Sequence, residues 1–130
     1  MDDYSEAKEV VARIRRRFPD EARRTDAWMM ERAWDDPAEA PHMWVEAFAD
    51  RTTEAARAED WGRVLEHTEF LATEFRAGSG RVKSLVDVAY AENLMWDLED
   101  GKKIAAWSYI AREVRELYEQ MWGTPGREAP

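Results

Sequence analysis

At 130 residues, 45% of them hydrophobic, the chain has the length of one domain with a core of its own. It contains no cysteine, which excludes disulfides, thiolate metal sites and a cysteine nucleophile together and leads us to expect a cytoplasmic protein. The net charge of −9 lies entirely in residues 31–130, where 21 acids face 12 bases; such a balance repels nucleic-acid phosphates and anionic membranes and favours basic protein partners.

Prolines and glycines punctuate six helical patterns. The first runs from Ser5, read as its N-cap, to Phe18, with Ala7, Val10, Val11, Ile14 and Phe18 on one side. Pro19 closes it. The second follows with Asp20 and Glu21 in its first turn, where acids suit the helix dipole, and continues to Trp34 before Asp35-Asp36-Pro37. Pro41 sits well as a first-turn residue of the third, which extends to Ala58 through Trp44, Ala47 and Phe48. The fourth spans Asp60 to Ala77 and ends at the turn Gly78-Ser79-Gly80. The fifth, Arg81 to Leu98, is apolar nearly all round and is expected at the centre of the fold. The sixth runs from Lys102 to Trp122, and residues 124–130 form a tail after the domain at 1–123.

Period-two alternation is absent, so the expected class is all-α, a bundle of five to six antiparallel helices. An echo between Glu69-Phe70-Leu71 and Glu92-Asn93-Leu94 suggests HEAT-like stacked hairpins. The sequence start Met1-Asp2-Asp3-Tyr4-Ser5-Glu6 has no basic or apolar leader character, and no stretch approaches the about 18 apolar residues of a membrane span.

Chemistry-bearing motifs are few. Glu39-Ala40-Pro41-His42 has the Glu-x-x-His spacing of di-iron bundles, but it occurs once and contains a proline, and His67 has no acid three residues before it; no metal site is expected. The serines lie in no Gly-x-Ser-x-Gly elbow, and phosphate-binding glycine loops and dinucleotide fingerprints are missing. Neither a catalytic residue nor a cofactor is expected. Arg13, Arg15, Arg16, Arg17, Arg23 and Arg24 crowd together, and their acidic neighbours point to an internal ion-pair seam rather than a nucleic-acid patch. Glu92 and Asn93 interrupt the most apolar helix, where a buried carboxylate needs a partner; they either bridge helices or line a pocket.

Glu46, Asp50 and Glu54 recur every four residues on one face of the third helix, at a spacing where like charges mildly oppose helix formation. With Glu31, Asp35, Asp36 and Glu39 before them they make a candidate negative surface for a basic partner. Seven tryptophans lie mostly on apolar stripes, with one or two available as interface anchors.

The segments 42–50 (HMWVEAFAD), 64–71 (VLEHTEFL), 89–97 (AYAENLMWD) and 117–123 (LYEQMWG) resemble a family of small helical bacterial proteins of unknown function, some of which resemble immunity proteins of polymorphic toxin systems. The resemblance implies a non-enzymatic, cytoplasmic inhibitor that covers a cognate toxin. Two other readings stay open: a structural or adaptor protein that forms a homo-oligomer, and a small-molecule-binding protein with a pocket near Glu92.

Overall fold

Two prolines set the first helix boundaries. In the computed structural model, which describes residues 4–126, α1 (Ser5–Arg17) stops at Phe18 and α2 (Pro19–Glu31) starts at once, because a proline at the first helical position loses no hydrogen bond the helix would have made. Met1, Asp2 and Asp3, and residues 127–130 of the expected tail, lie outside the described residues. Tyr4, not Ser5, occupies the N-cap of α1, without a side-chain capping bond. A short 3-10 turn (Pro37–Glu39) leads to α3 (Pro41–Arg57), again opened by proline. α4 (Trp61–Ala77) is capped by Asp60, whose carboxylate accepts from the Arg63 N–H at 3.2 Å. Ser79 caps α5 (Gly80–Ser84), and α6 (Asp100–Trp107) and α7 (Arg112–Trp122) complete the chain. The protein is all-helical, with seven α-helices and no strand among the described residues.

Three expectations need correction. α2 ends at Glu31 rather than Trp34. There the N–H of Trp34 donates to the Met29 carbonyl and that of Ala33 to Met30, the paired bonds of a Schellman motif, with Ala33 at φ 69° where glycine is usual. The fifth helix is regular only to Ser84. It continues as a π-helical stretch (Leu85–Tyr90) and a 3-10 turn (Ala91–Asn93), then leaves helical conformation, so Glu92-Asn93-Leu94 is not equivalent to Glu69-Phe70-Leu71 on regular α4. The expected sixth helix is two helices broken at 108–111, where Thr68 Oγ1 accepts from the Ala111 N–H at 3.0 Å and Tyr109 stacks on Trp61.

The centre of the molecule is α3. Ten of its residues are buried, and it packs against α1, α2, α4, α6 and the π-helical stretch, whose Leu85, Val86, Ala89 and Tyr90 turn inward against it. Trp44 and Phe48 stack in the core, and Val10, Ile14, Phe18, Met29, Leu71, Leu94 and Met95 close around them. The arginine-rich start of the chain is tied down by ion pairs: Arg13 binds Glu74 through two bonds of 2.8 and 2.7 Å, Arg15 binds Asp26 through two more, Arg17 meets Glu66 and Arg24 meets Glu54. Gly126 packs so closely on Ile104 that an added Cβ would lie 3.1 Å from it, so this part of the expected tail lies against the domain.

Candidate functional site

Two polar constellations border α3, one sealed and one open. The sealed one begins at Glu21, read from the sequence as a first-turn acid and as one of the acidic neighbours of the arginine cluster. Its carboxylate is buried and accepts from Arg63 Nε at 2.6 Å, Arg63 Nη2 at 3.0 Å and His67 Nε2 at 2.8 Å. Burial opposes its ionisation, but the bonds from Arg63 and His67 outweigh that and bring its pKa down to about 2. An ionised carboxylate can only accept, so the neutral His67 ring carries its proton on Nε2, and Nδ1 accepts from Thr52 Oγ1 at 2.9 Å. Thr52 Oγ1 in turn accepts from the Tyr90 hydroxyl at 2.8 Å. The chain of donors therefore runs one way, from Tyr90 through Thr52 and His67 to Glu21.

Burial pushes the His67 pKa down, against the pull of Glu21, and burial pushes the Tyr90 hydroxyl up. His67 also packs between the rings of Phe18 and Phe48. Carboxylate, imidazole and hydroxyl in sequence are the parts of a nucleophilic triad. Here the hydroxyl belongs to Thr52, 1% exposed, and its oxygen is occupied by Tyr90. No substrate carbonyl can approach it in this arrangement, and the constellation reads as core cross-linking between α2, α3, α4 and the π-helical stretch.

The open constellation lies along α3. Glu46 and Asp50 line a depression of about 290 Å³ with Trp28, Met43, Ala47, Asn93 and Trp96. A second, of about 310 Å³, shares Trp28, Asp50 and Trp96 and adds Arg51, Thr53, Glu54, Arg57 and Asp97. Asp50 therefore stands at the meeting of two grooves, with an indole from α2 and one from the turn after Asn93 at its sides. Burial raises the Asp50 pKa, helped by the nearby charges of Asp97 and Glu54 and opposed by Arg51 and Arg32.

Trp96 owes its position to a backbone turn that the sequence did not announce. Met95 adopts φ 59°, a conformation that costs a non-glycine residue about 1 kcal/mol. The Met95 N–H donates to Thr53 Oγ1 at 2.9 Å, and its side chain is buried. The next residue is thereby thrown outward, and Trp96 is 68% exposed. It leans on Trp122, ring centroids 5.8 Å apart, and Trp122 is fixed by an Nε1–H bond to the Glu92 carbonyl. A third depression, lined by Trp96, Trp122, Ile104 and Tyr118 among others, lies on this side of Trp96.

The expected surface divides accordingly. Glu46, Asp50 and Glu54 come together in the grooves, whereas Glu31 at the end of α2 and Asp35, Asp36 and Glu39 on the α2–α3 connection are exposed and line neither. Glu39 pairs with Lys8 at 2.9 Å, and Glu54 is held by Arg24 at 2.7 Å and Arg51 at 3.0 Å. Glu92 is not buried within an apolar helix. It stands partly exposed in the 3-10 turn, because the chain leaves the α-helix before reaching it. Asn93 is partly exposed too; its amide donates to the Ala89 carbonyl at 2.8 Å and to Glu46 Oε1 at 3.3 Å, which joins it to the acidic groove. Among the described residues no three His, Asp or Glu side chains gather as metal ligands, and no helix is long and apolar enough to cross a membrane.

Fold and groove together define an acidic, all-helical protein that presents a tryptophan-flanked carboxylate to solvent. The chain belongs to a family described as a domain of unknown function, DUF7674, which matches residues 11–123 and so includes both constellations. No curated protein and no solved structure matches it.

Proposed function

We propose that the protein is a non-enzymatic binding module that engages a basic protein partner through the α3 grooves, and that the partner is a cognate toxin which it neutralises in the cytoplasm as an immunity protein. The observation that carries the binding role is Asp50, a half-buried carboxylate between Trp28 and Trp96 in a negative neighbourhood. A cation from a partner supplies what this carboxylate lacks, and an exposed indole beside it is the residue type that most often dominates interface energy. The exposed acids Glu31, Asp35, Asp36 and Glu39 add long-range attraction and accelerate encounter. The immunity reading rests on that charge complementarity and on the family resemblance of segments 42–50, 64–71, 89–97 and 117–123.

The test is a pull-down from the native host with wild-type protein and with the Glu31→Lys/Asp36→Lys/Asp50→Lys variant. Glu54 is left intact because it holds Arg24 and Arg51. A basic partner retained by the wild type, released by salt and lost in the variant supports the reading. Equal retention by both proteins, or no retained partner at low salt, refutes it. The toxin assignment is tested separately, by whether co-expression rescues cells from the captured protein.

A further inference from the structure

The depression that Trp96 shares with Trp122 has a volume of about 510 Å³, and no acid of the α3 stripe lines it. That volume falls in the range of about 300–1,000 Å³ typical of small-molecule sites. Two of its walls are indoles, 68% and 49% exposed, with centroids 5.8 Å apart and planes inclined at 59°. Two inclined rings make a corner, and the electron-rich faces of tryptophan attract cations. The corner is held by the backbone: Met95 at φ 59° turns Trp96 outward, and the Trp122 Nε1–H donates to the Glu92 carbonyl at 2.9 Å. With that donor spent, Trp122 has only its ring to offer a ligand.

The first turn of α6 adds charges of both signs. Asp100 and Lys103 lie three residues apart and line the same depression. Their side chains make no hydrogen bond or ion pair with any described residue, each other included. Tyr118 lines the depression as well, and its hydroxyl is pushed up by burial and by the charge of Asp100, which sets that carboxylate close to the aromatic wall. A bare cation drawn to the indoles meets the like charge of Lys103, and a bare anion drawn to Lys103 meets that of Asp100. A ligand carrying both signs satisfies both residues. The indoles also select the kind of cation. A primary ammonium laid on them gives up water that the rings do not replace, whereas a trimethylammonium has no N–H to satisfy and spreads its charge over methyl groups that pack on the rings.

We propose that this depression binds a small zwitterion with a quaternary ammonium at one end and an acidic group at the other, the chemistry of phosphocholine: the trimethylammonium sits in the Trp96–Trp122 corner with Asp100 as its counter-charge, and the anion pairs with Lys103. The site goes beyond the protein-binding role proposed above and does not depend on it.

The experiment titrates the whole protein, ¹⁵N-labelled, with phosphocholine, choline, phosphoethanolamine and inorganic phosphate up to about 10 mM, since so small a ligand is expected to bind with a Kd of about 1 mM. Phosphocholine should move the Trp96 and Trp122 indole N–H signals, with phosphoethanolamine weaker by at least about tenfold. Lys103→Gln should lower the affinity for phosphocholine to that for choline without weakening choline, and Asp100→Asn should weaken both. These two variants touch neither α3 groove, so their effects are separate from those on a protein partner. Indole signals unmoved by phosphocholine, or moved as strongly by phosphoethanolamine or inorganic phosphate, overturn the site, as does binding of phosphocholine indifferent to both variants. Where phosphocholine binds as expected, co-sedimentation with phosphatidylcholine vesicles assigns the site to a lipid headgroup, and failure to co-sediment assigns it to a free solute.

Discussion

Glu21 and Asp50 sit on helices packed against each other, and they meet opposite fates. Glu21 is buried, yet three nitrogens point at its oxygens, so it ionises more easily than an ordinary carboxylate. Asp50 is more exposed but lacks a bonded partner among the described residues, and it ionises less easily. The lesson is that depth does not decide whether a carboxylate is structural or free to bind. The number of donors the fold brings to it does.

Breaking the satisfied carboxylate tests this most severely. Glu21→Gln removes the charge that answers Arg63 and His67, and losing one partner of a buried pair is expected to cost about 3 kcal/mol, with a melting temperature lower by about 10 °C. Chemical and thermal denaturation measure it; a loss under about 1 kcal/mol contradicts the role given to Glu21. The gap between wild type and variant should shrink with acid. The folded pKa of Glu21, about 2, lies below its unfolded value of 4.5, so its contribution is complete above 4.5 and disappears as pH falls toward 2.

His67 adds a second, smaller dependence at higher pH. Its folded pKa is held below 6.5, so the unfolded chain takes up a proton first and stability declines as pH drops beneath 6.5. Protonation would also force Nδ1 to donate, which reverses the Thr52–Tyr90 bonds. A His67→Gln variant should be less stable throughout but flat across that window. Persistence of the wild-type slope in this variant would assign it to another group.

Much of the architecture was legible because it is decided locally. Pro19, Pro41, Asp60 and Ser79 mark helix starts with chemistry that acts within one turn. The misread places are those decided by distant partners. Thr53 captures the Met95 N–H and Thr68 the Ala111 N–H, each more than 40 residues away, and both break apparent helices without a glycine or proline at the break. The same limit governs the site. The charge stripe Glu46, Asp50, Glu54 follows from a spacing of four, but which member stays unanswered depends on Arg24 and Asn93 arriving from other elements and on which way Arg51 turns within α3. His67 looked isolated in sequence because its partners Glu21, Thr52 and Tyr90 come from three other elements; a lone histidine in an apolar stretch was the signal available.

The hydroxyl at the far end of the sealed chain gives a milder test. Tyr90→Phe deletes one buried donor while keeping the ring against Phe48, and Thr52 still donates to His67. About 1 kcal/mol should be lost, the ordinary worth of one hydrogen bond, and a loss near 3 would mean that the chain acts as a unit beyond its separate bonds.

The smallest effect carries the sharpest contrast. Asp50→Asn breaks no side-chain bond with a described residue; it relieves the burial of a charge and the repulsion from Asp97 and Glu54, which together outweigh the lost attraction of Arg51 and Arg32, so stability should hold or rise by a few tenths of a kcal/mol, measured by denaturant midpoint at unchanged slope. Glu21→Gln makes the same chemical change, carboxylate to amide, one helix away. If both variants lose comparable stability, Asp50 has a structural partner and is not held free for a ligand. If Asp50→Asn is neutral for folding while abolishing binding of a basic partner, the two carboxylates divide between them the work of holding the fold and of recognising what lies outside it.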